Sequence, residues 1–245
     1  MIEVRNLSKS FNGRPVLQDV DLDIKDNKTL VILGPSGQGK TVLIKILAKL
    51  IEPDFGTVSY DGVDIIRLSK RQFKEIQKKM AFVFQANALF DFLDVQDNLS
   101  LFLNMHTMLS AQEIEEKVME SIRFVGLDST VLSKFPEELS GGMGKRVAIA
   151  RAMILRPEII FYDEPTAGLD EGNVGKVVEL ISLLKTEVCA TTVIVTHDVD
   201  LMFKVSDWVV LLKEGRVVFS GKKEQVTEAM LRDLYATGEN NGVQK

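Results

Sequence analysis

Residues Gly34-Pro35-Ser36-Gly37-Gln38-Gly39-Lys40-Thr41 fit the pattern G-x-x-x-x-G-K-[ST], which leaves few folds open to the chain. A short apolar strand, Thr29-Leu30-Val31-Ile32-Leu33, precedes it. A helical pattern, Val42-Leu43-Ile44-Lys45-Ile46-Leu47-Ala48-Lys49-Leu50, follows. Strand, glycine-rich loop and helix in that order form a cradle for phosphate. The glycines let backbone N–H groups approach phosphate oxygens with no Cβ in the way, and the helix points its positive end at the same anion. Lys40 is placed to reach the β- and γ-phosphates, and the Thr41 hydroxyl to ligate Mg²⁺. The plainer reading, a glycine-rich turn before a lysine, explains neither flank.

The chain's 245 residues suffice for one sizeable core, and its 45% hydrophobic and 27% charged content is ordinary for a globular protein. A net charge of −5 gives no support to general nucleic-acid binding, so no nucleic-acid partner is expected. The longest apolar runs, 80–84 and 208–212, have five residues each, against about 20 needed to cross a bilayer. Met1-Ile2-Glu3-Val4-Arg5 reads as the start of a strand rather than a signal peptide. Cys189 is the one cysteine, which points to a reducing compartment and reads as a small residue near a helix end.

Val4, Val20-Asp21-Leu22-Asp23-Ile24 and Gly56-Thr57-Val58-Ser59-Tyr60 suggest an antiparallel sheet, with Asp61-Gly62 as a turn. Runs 29–33, 159–162 and 191–196 lack alternation and each adjoins a helical pattern, which predicts a parallel α/β core of strands buried on both faces. The segment from about 95 to 155 reads as helical almost throughout. There Ser110 and Glu113 form a capping-box signature, and Ile114, Val118, Ile122 and Val125 recur on one face. The expected organisation is therefore one domain over 1–235. Its core and antiparallel part fall in 1–85 and 156–235, a helical subdomain in about 86–155, and a mobile tail in 236–245.

Ile159-Ile160-Phe161-Tyr162-Asp163-Glu164 is an apolar strand ending in two carboxylates. Beside a phosphate loop, Asp163 is expected to help hold Mg²⁺ and Glu164 to polarise the attacking water as general base. His197 follows another core strand, where its side chain can hydrogen-bond the γ-phosphate; the alternative is a cap for the helix at 198–204. Gln85 ends the strand 80–84, where its amide can touch both Mg²⁺ and the water. Leu139-Ser140-Gly141-Gly142-Met143 opens a helix running to about Leu155, forming a second anion site; a flexible turn is the alternative. One nucleotide already has a phosphate loop, so a second anion site suggests a second subunit.

Together these motifs resemble the ATPase subunit of ATP-binding-cassette (ABC) transporters, over nearly all of residues 1–235. The order carries the resemblance: phosphate loop, Gln85, signature 139–143, Asp163 and Glu164, then His197. It implies an α/β phosphate-loop NTPase of the ABC ATPase type, with a parallel core sheet, an antiparallel β subdomain and a helical subdomain. It implies ATP and Mg²⁺ as cofactors and a head-to-tail homodimer, in which Ser140, Gly141 and Gly142 of one copy complete the γ-phosphate site of the other. Asp170 in Gly168-Leu169-Asp170 matches the loop crossing that interface, and Phe11 matches the aromatic residue that stacks on adenine.

Departures narrow the branch. Met143 stands where the family usually has Gln, followed by Gly144-Lys145-Arg146; Ala167-Gly168-Leu169-Asp170 replaces Ser-Ala-Leu-Asp; and the loop continues as Thr41-Val42-Leu43. These resemble the cassettes that energise Mla/Mce-type lipid transport. The resemblance implies permease partners in the membrane, a lipid-binding Mce-domain protein, and a peripheral place on the cytoplasmic face of a bacterial inner membrane. Phe90, Phe92 and Leu93 would line a groove for a permease helix or pack in the core. Two alternatives stay open: a single-cassette scaffold ATPase of the iron–sulfur-assembly or cell-division kind, and an importer or exporter of another substrate.

Overall fold

A computed structural model describes residues 1–236; the tail expected at 236–245 lies, apart from Ala236, outside the described residues. Strands β1 (Ile2–Phe11), β2 (Arg14–Ile24), β3 (Thr29–Leu33), β4 (Phe55–Tyr60) and β5 (Val63–Asp64) make up the first part, with helix α1 (Lys40–Leu47) after β3. Helix α2 (Lys70–Gln77) and strand β6 (Met80–Val83) lead to three helices, α3 (Val95–His106), α4 (Ala111–Phe124) and α5 (Gly141–Met153). The chain then alternates through β7 (Ile159–Asp163), α6 (Glu171–Val188), β8 (Thr191–Thr196), α7 (Val199–Val205), β9 (Trp208–Lys213) and β10 (Arg216–Lys222), closing with α8 (Glu228–Tyr235).

Two sheets form. The first is antiparallel, in order β2-β1-β4-β5, and the second runs β10-β9-β3-β8-β7-β6 with only β10 antiparallel to its neighbour. Hairpin chemistry explains the antiparallel joins. Asn12-Gly13, Asp61-Gly62 and Glu214-Gly215 all hold positive φ, as tight turns between twisted strands require. Strands β3 and β8 are buried along their whole length, as unalternating apolar runs predict.

Side chains alternate across the parallel sheet and feed two cores. Leu30, Ile32, Phe161, Val193 and Val195 pack with α1 and the antiparallel sheet, while Val31, Leu33, Tyr162 and Ile194 pack with α3, α5, α6 and α7. Parallel pairing sets Leu33 opposite Thr196 and Asp163 opposite Val195, so the loops after β3, β7 and β8 leave the sheet at one level.

The helical segment is less continuous than its pattern suggests: α5 ends at Met153, and short 3₁₀ turns at Ser129–Val131 and Pro136–Glu138 separate α4 from α5. Its predicted capping box at Ser110 and Glu113 is formed, and Ile114, Val118, Ile122 and Val125 are buried. Asn98, wholly buried, fastens residues 90–94 to α3: its Oδ1 accepts from the Phe90 N–H at 2.8 Å, and its Nδ2 donates to Phe90, Leu93 and Asp94 carbonyls at 3.0–3.1 Å. Phe92 is 77% exposed, so it belongs to no core.

Tyr60 joins the antiparallel sheet to the helix behind the phosphate loop, its buried hydroxyl donating to the Leu47 carbonyl at 2.6 Å. Tyr60→Phe leaves that carbonyl without this partner and is expected to lower unfolding free energy by about 1–3 kcal/mol. Urea denaturation with an unchanged slope checks it; an unmoved midpoint would show that the hydroxyl holds nothing.

Candidate active site

The loop 34–39 joins β3 to α1. Gly39 sits at φ +93° as the first cap of α1, and a Cβ there would lie 2.7 Å from the Val16 carbonyl oxygen. Only glycine fits both the backbone and the close approach of β2. The Gly34 N–H donates to the Thr196 carbonyl at 3.3 Å, and the Gln38 side-chain oxygen accepts from the Glu214 N–H. Pro35, Ser36 and Gly37 complete the exposed crest of the loop, half-covered at Pro35.

Lys40 and Thr41 open α1 and point to different carboxylates. Lys40 Nζ donates to the carbonyls of Gly34 (2.7 Å) and Pro35 (2.9 Å) and lies 3.4 Å from Glu164 Oε1. The Thr41 hydroxyl donates to Asp163 Oδ1 at 2.8 Å. Burial pushes the Asp163 carboxyl above its usual range. The Thr41 hydrogen bond and the Lys45 charge oppose that push, and the neighbouring Glu164 charge adds to it.

Glu164, just past β7, adopts φ +47°, unusual for a side chain with a Cβ, and its N–H donates to the Val195 carbonyl at 2.9 Å. Its Oε2 accepts from the His197 N–H at 3.3 Å and lies 2.9 Å from His197 Nδ1. Lys40, Glu164 and His197, predicted from three separate motifs, thus form one contact chain. His197 does not cap the following helix; Asp198 does, accepting from the Leu201 N–H at 2.9 Å. Tyr235, which belongs to none of the motifs above, donates from its hydroxyl to the His197 carbonyl at 2.8 Å. Burial, helped by the Glu164 and Asp198 charges, raises the Tyr235 phenol to about 12.

The remaining candidates stand apart from this chain of contacts. Gln85 is exposed, two residues beyond the end of β6. Ser140 caps α5, its Oγ accepting from the Met143 N–H at 3.3 Å, and Ser140 and Gly141 are exposed while Gly142 is buried. Asp170 caps α6 with Oδ1 accepting from the Asn173 N–H at 2.9 Å. The two helix starts adjoin, since a Cβ on Gly142 would fall 2.3 Å from the Asn173 side chain. Among the described residues no hydrogen bond or ion pair joins 140–142 to 34–41. Phe11 ends β1 with its ring 43% exposed and Lys9 Nζ 5.2 Å from its centre.

A phosphate loop, two strand-end carboxylates and a histidine across parallel strand ends define a phosphate-loop NTPase. The chain belongs to the ABC transporter family, whose family model matches residues 17–167. It is 35% identical over 244 residues to the intermembrane phospholipid transport system ATP-binding protein MlaF of Haemophilus influenzae, a match covering 99% of this chain and 92% of that protein. It is 40% identical over 223 residues to the probable ribonucleotide transport ATP-binding protein mkl of Mycobacterium leprae, covering 91% of this chain but spanning 64% of the relative. Two solved dimeric structures of the bacterial ABC cassette MJ0796, one a post-hydrolysis state bound to ADP and Pi, match at TM-scores of 0.84 and 0.83. Both are 31% identical, covering 91% of this chain and 98% of theirs. The fold is that of an ABC ATPase.

Gly39→Ala strains the loop and drives a methyl into β2. It is expected to weaken binding of a fluorescent ATP analogue by more than about tenfold, or ~1.4 kcal/mol. Affinity equal to wild type would remove residues 34–41 as the nucleotide seat.

Proposed function

We propose that this chain is the ATP-hydrolysing subunit of an ABC transporter complex that energises phospholipid transport. The convergence of Lys40, Glu164 and His197 at the ends of adjoining parallel strands carries the hydrolytic part of this reading. Phe11 stacks on adenine, and the backbone of 34–39 with Lys40 and Thr41 grips the phosphates. Lys40 already has three partners, of which Glu164 at 3.4 Å is the longest contact, so an incoming phosphate oxygen displaces that carboxylate first. Glu164, released toward water, takes its proton as the water oxygen attacks the γ-phosphorus. The bond from that phosphorus to the bridging oxygen breaks, and ADP and phosphate leave. His197 hydrogen-bonds the γ-phosphate while holding Glu164 in place.

The donor set suits Mg²⁺. Thr41 and Asp163 offer hard oxygens, and a cation beside Asp163 offsets the burial that pushes its carboxyl up. No group of three His, Cys, Asp or Glu side chains forms a metal cage among the described residues, so Thr41, Asp163 and Gln85 would hold the ion together with phosphate oxygens. Bound there, Mg²⁺ neutralises charge developing on the transferred phosphoryl group.

Residues 1–235 act as one ATPase domain, with about 86–155 as its helical subdomain. Two copies pair head-to-tail, Ser140, Gly141, Gly142 and Asp170 of each facing the other's nucleotide; the dimeric MJ0796 structures support this. No described helix is long and apolar enough to cross a membrane. On the MlaF likeness, the route for cargo belongs to permease subunits in an inner membrane, with this chain on the cytoplasmic face. Phospholipid as cargo, and a lipid-binding Mce-domain partner, follow from the MlaF likeness. That likeness runs over 92% of the relative, whereas the mkl match leaves a third of that protein uncovered.

Glu164→Gln keeps the hydrogen bonds and removes the base. It is expected to cut phosphate release by at least roughly 100-fold and to accumulate an ATP-bound dimer on size exclusion. Wild-type turnover in that variant removes Glu164 from its role, and purification without any integral membrane protein refutes the transporter assignment.

A further inference from the structure

Helix α5 grips the loop that carries Gln85. Lys145, in its second turn, is 2% exposed, and its Nζ donates to the carbonyls of Gln85 at 2.8 Å and Phe84 at 3.2 Å. Burial pulls this lysine down to about 8, with the Asp163 charge opposing. No carboxylate lies within ion-pair distance of it among the described residues, so the two carbonyls are what compensate a buried cation. Two more contacts join the same partners. Arg151 Nη2 donates to the Asn87 carbonyl at 3.2 Å. Gly144 lets Asn87 come close, since a Cβ there would lie 2.9 Å from Asn87 Nδ2.

The loop is a strained, exposed turn. Asn87 and Ala88 both sit at positive φ, 61° and 50°, and Gln85, Ala86 and Ala88 are exposed. Two backbone bonds inside the loop, from the Asn87 N–H to the Phe84 carbonyl at 3.1 Å and from the Ala88 N–H to the Ala86 carbonyl at 2.6 Å, close the turn, and side chains of α5 hold it from outside.

We propose that Lys145 is a positioning residue that fastens the Gln85 loop to α5, so that the helix start at Ser140 and the side chain of Gln85 move as one body. A helix rises 1.5 Å per residue, so the Lys145 anchor lies about 7–8 Å along the axis from Ser140, too short a span to bend. When phosphate of the second copy engages 140–142, the shift of α5 is carried to Gln85 through the Lys145–carbonyl bonds. This rests on the roles given above to Gln85 and to residues 140–142.

The test is a double-mutant cycle on ATP turnover by the full complex, with wild type, Lys145→Met, Gln85→Ala and the double variant. Lys145→Met is expected to lower kcat roughly ten- to a hundredfold, with KM for ATP within about twofold. The double variant is expected to be no slower than Gln85→Ala alone, because both remove the same group's effect. In a Glu164→Gln background, Lys145→Met still forms the ATP-bound dimer. Wild-type turnover in Lys145→Met, losses that multiply with those of Gln85→Ala, or KM rising in step with falling kcat would each overturn the proposal. Should Lys145→Met not fold, Lys145→Leu, which likewise carries no donor for the Gln85 and Phe84 carbonyls, enters the same cycle under the same criteria. Failure of Glu164→Gln to block turnover is a separate result that strikes the ATPase reading itself.

Discussion

Three segments distant in sequence meet at Glu164, at the end of β7: its carboxylate lies 3.4 Å from the phosphate-loop lysine and 2.9 Å from the His197 side chain after β8, and its N–H donates to the Val195 carbonyl of β8. That meeting depends on register. Leu33 faces Thr196 and Asp163 faces Val195, so each functional residue leaves its strand at the same height. A slip of one residue in any pair would turn every side chain of that strand to the opposite face and scatter the site. The φ of +47° at Glu164 costs about 1–3 kcal/mol. It persists because the N–H bond to Val195 and both partners of the carboxylate fix the same conformation.

Charge stress is distributed on purpose-shaped ground around this carboxylate. Asp163 is pushed toward its neutral form and Lys145 toward its own, each by burial, and each is opposed by the field of an opposite charge; Asp163 itself is the charge that favours the Lys145 cation. Tyr235 feels Glu164 from the other side. Asp163 and Lys145 hold buried charges with no direct ion pair between them, whereas Lys40 and Glu164 pair at 3.4 Å. The Lys40–Glu164 contact is the one pair that must open, and it is already long.

The meeting of Lys40, Thr41, Asp163, Glu164 and His197 was legible from residues 34–41, 163–164 and 197, because phosphate chemistry demands specific residue types at fixed places on strands. Strands buried on both faces also declared themselves by unbroken apolar runs at 29–33 and 191–196. The pattern failed where context decides. Helix α2 has Phe73 as its one buried side chain and so carries almost no apolar stripe, and the β9–β10 hairpin hides behind an alternation that only β10 shows. Residues 125–140 read as helical but break into 3₁₀ turns, since Gly126 and Pro136 interrupt the ladder. Lys145 was visible only as a departure in the signature; that it is buried and reaches back 60 residues to Gln85 is a tertiary fact. Nothing in the sequence around Tyr235 signals a bond to His197.

The geometry also explains why one copy of the chain is an incomplete machine. The starts of α5 and α6 adjoin, each capped by its own side chain at Ser140 and Asp170, and Ser140, Gly141 and Asp170 are all exposed. A helix start carries roughly half a positive charge; at α5 a neutral Ser140 cap leaves it open to an anion, while at α6 the Asp170 and Glu171 carboxylates already answer it. Yet among the described residues no hydrogen bond or ion pair joins this pair to the phosphate loop of the same chain. In a two-fold pairing, such as the dimeric MJ0796 cassettes have, an isologous contact is made twice, so whatever the exposed helix starts of one copy meet on the other is met at both sites.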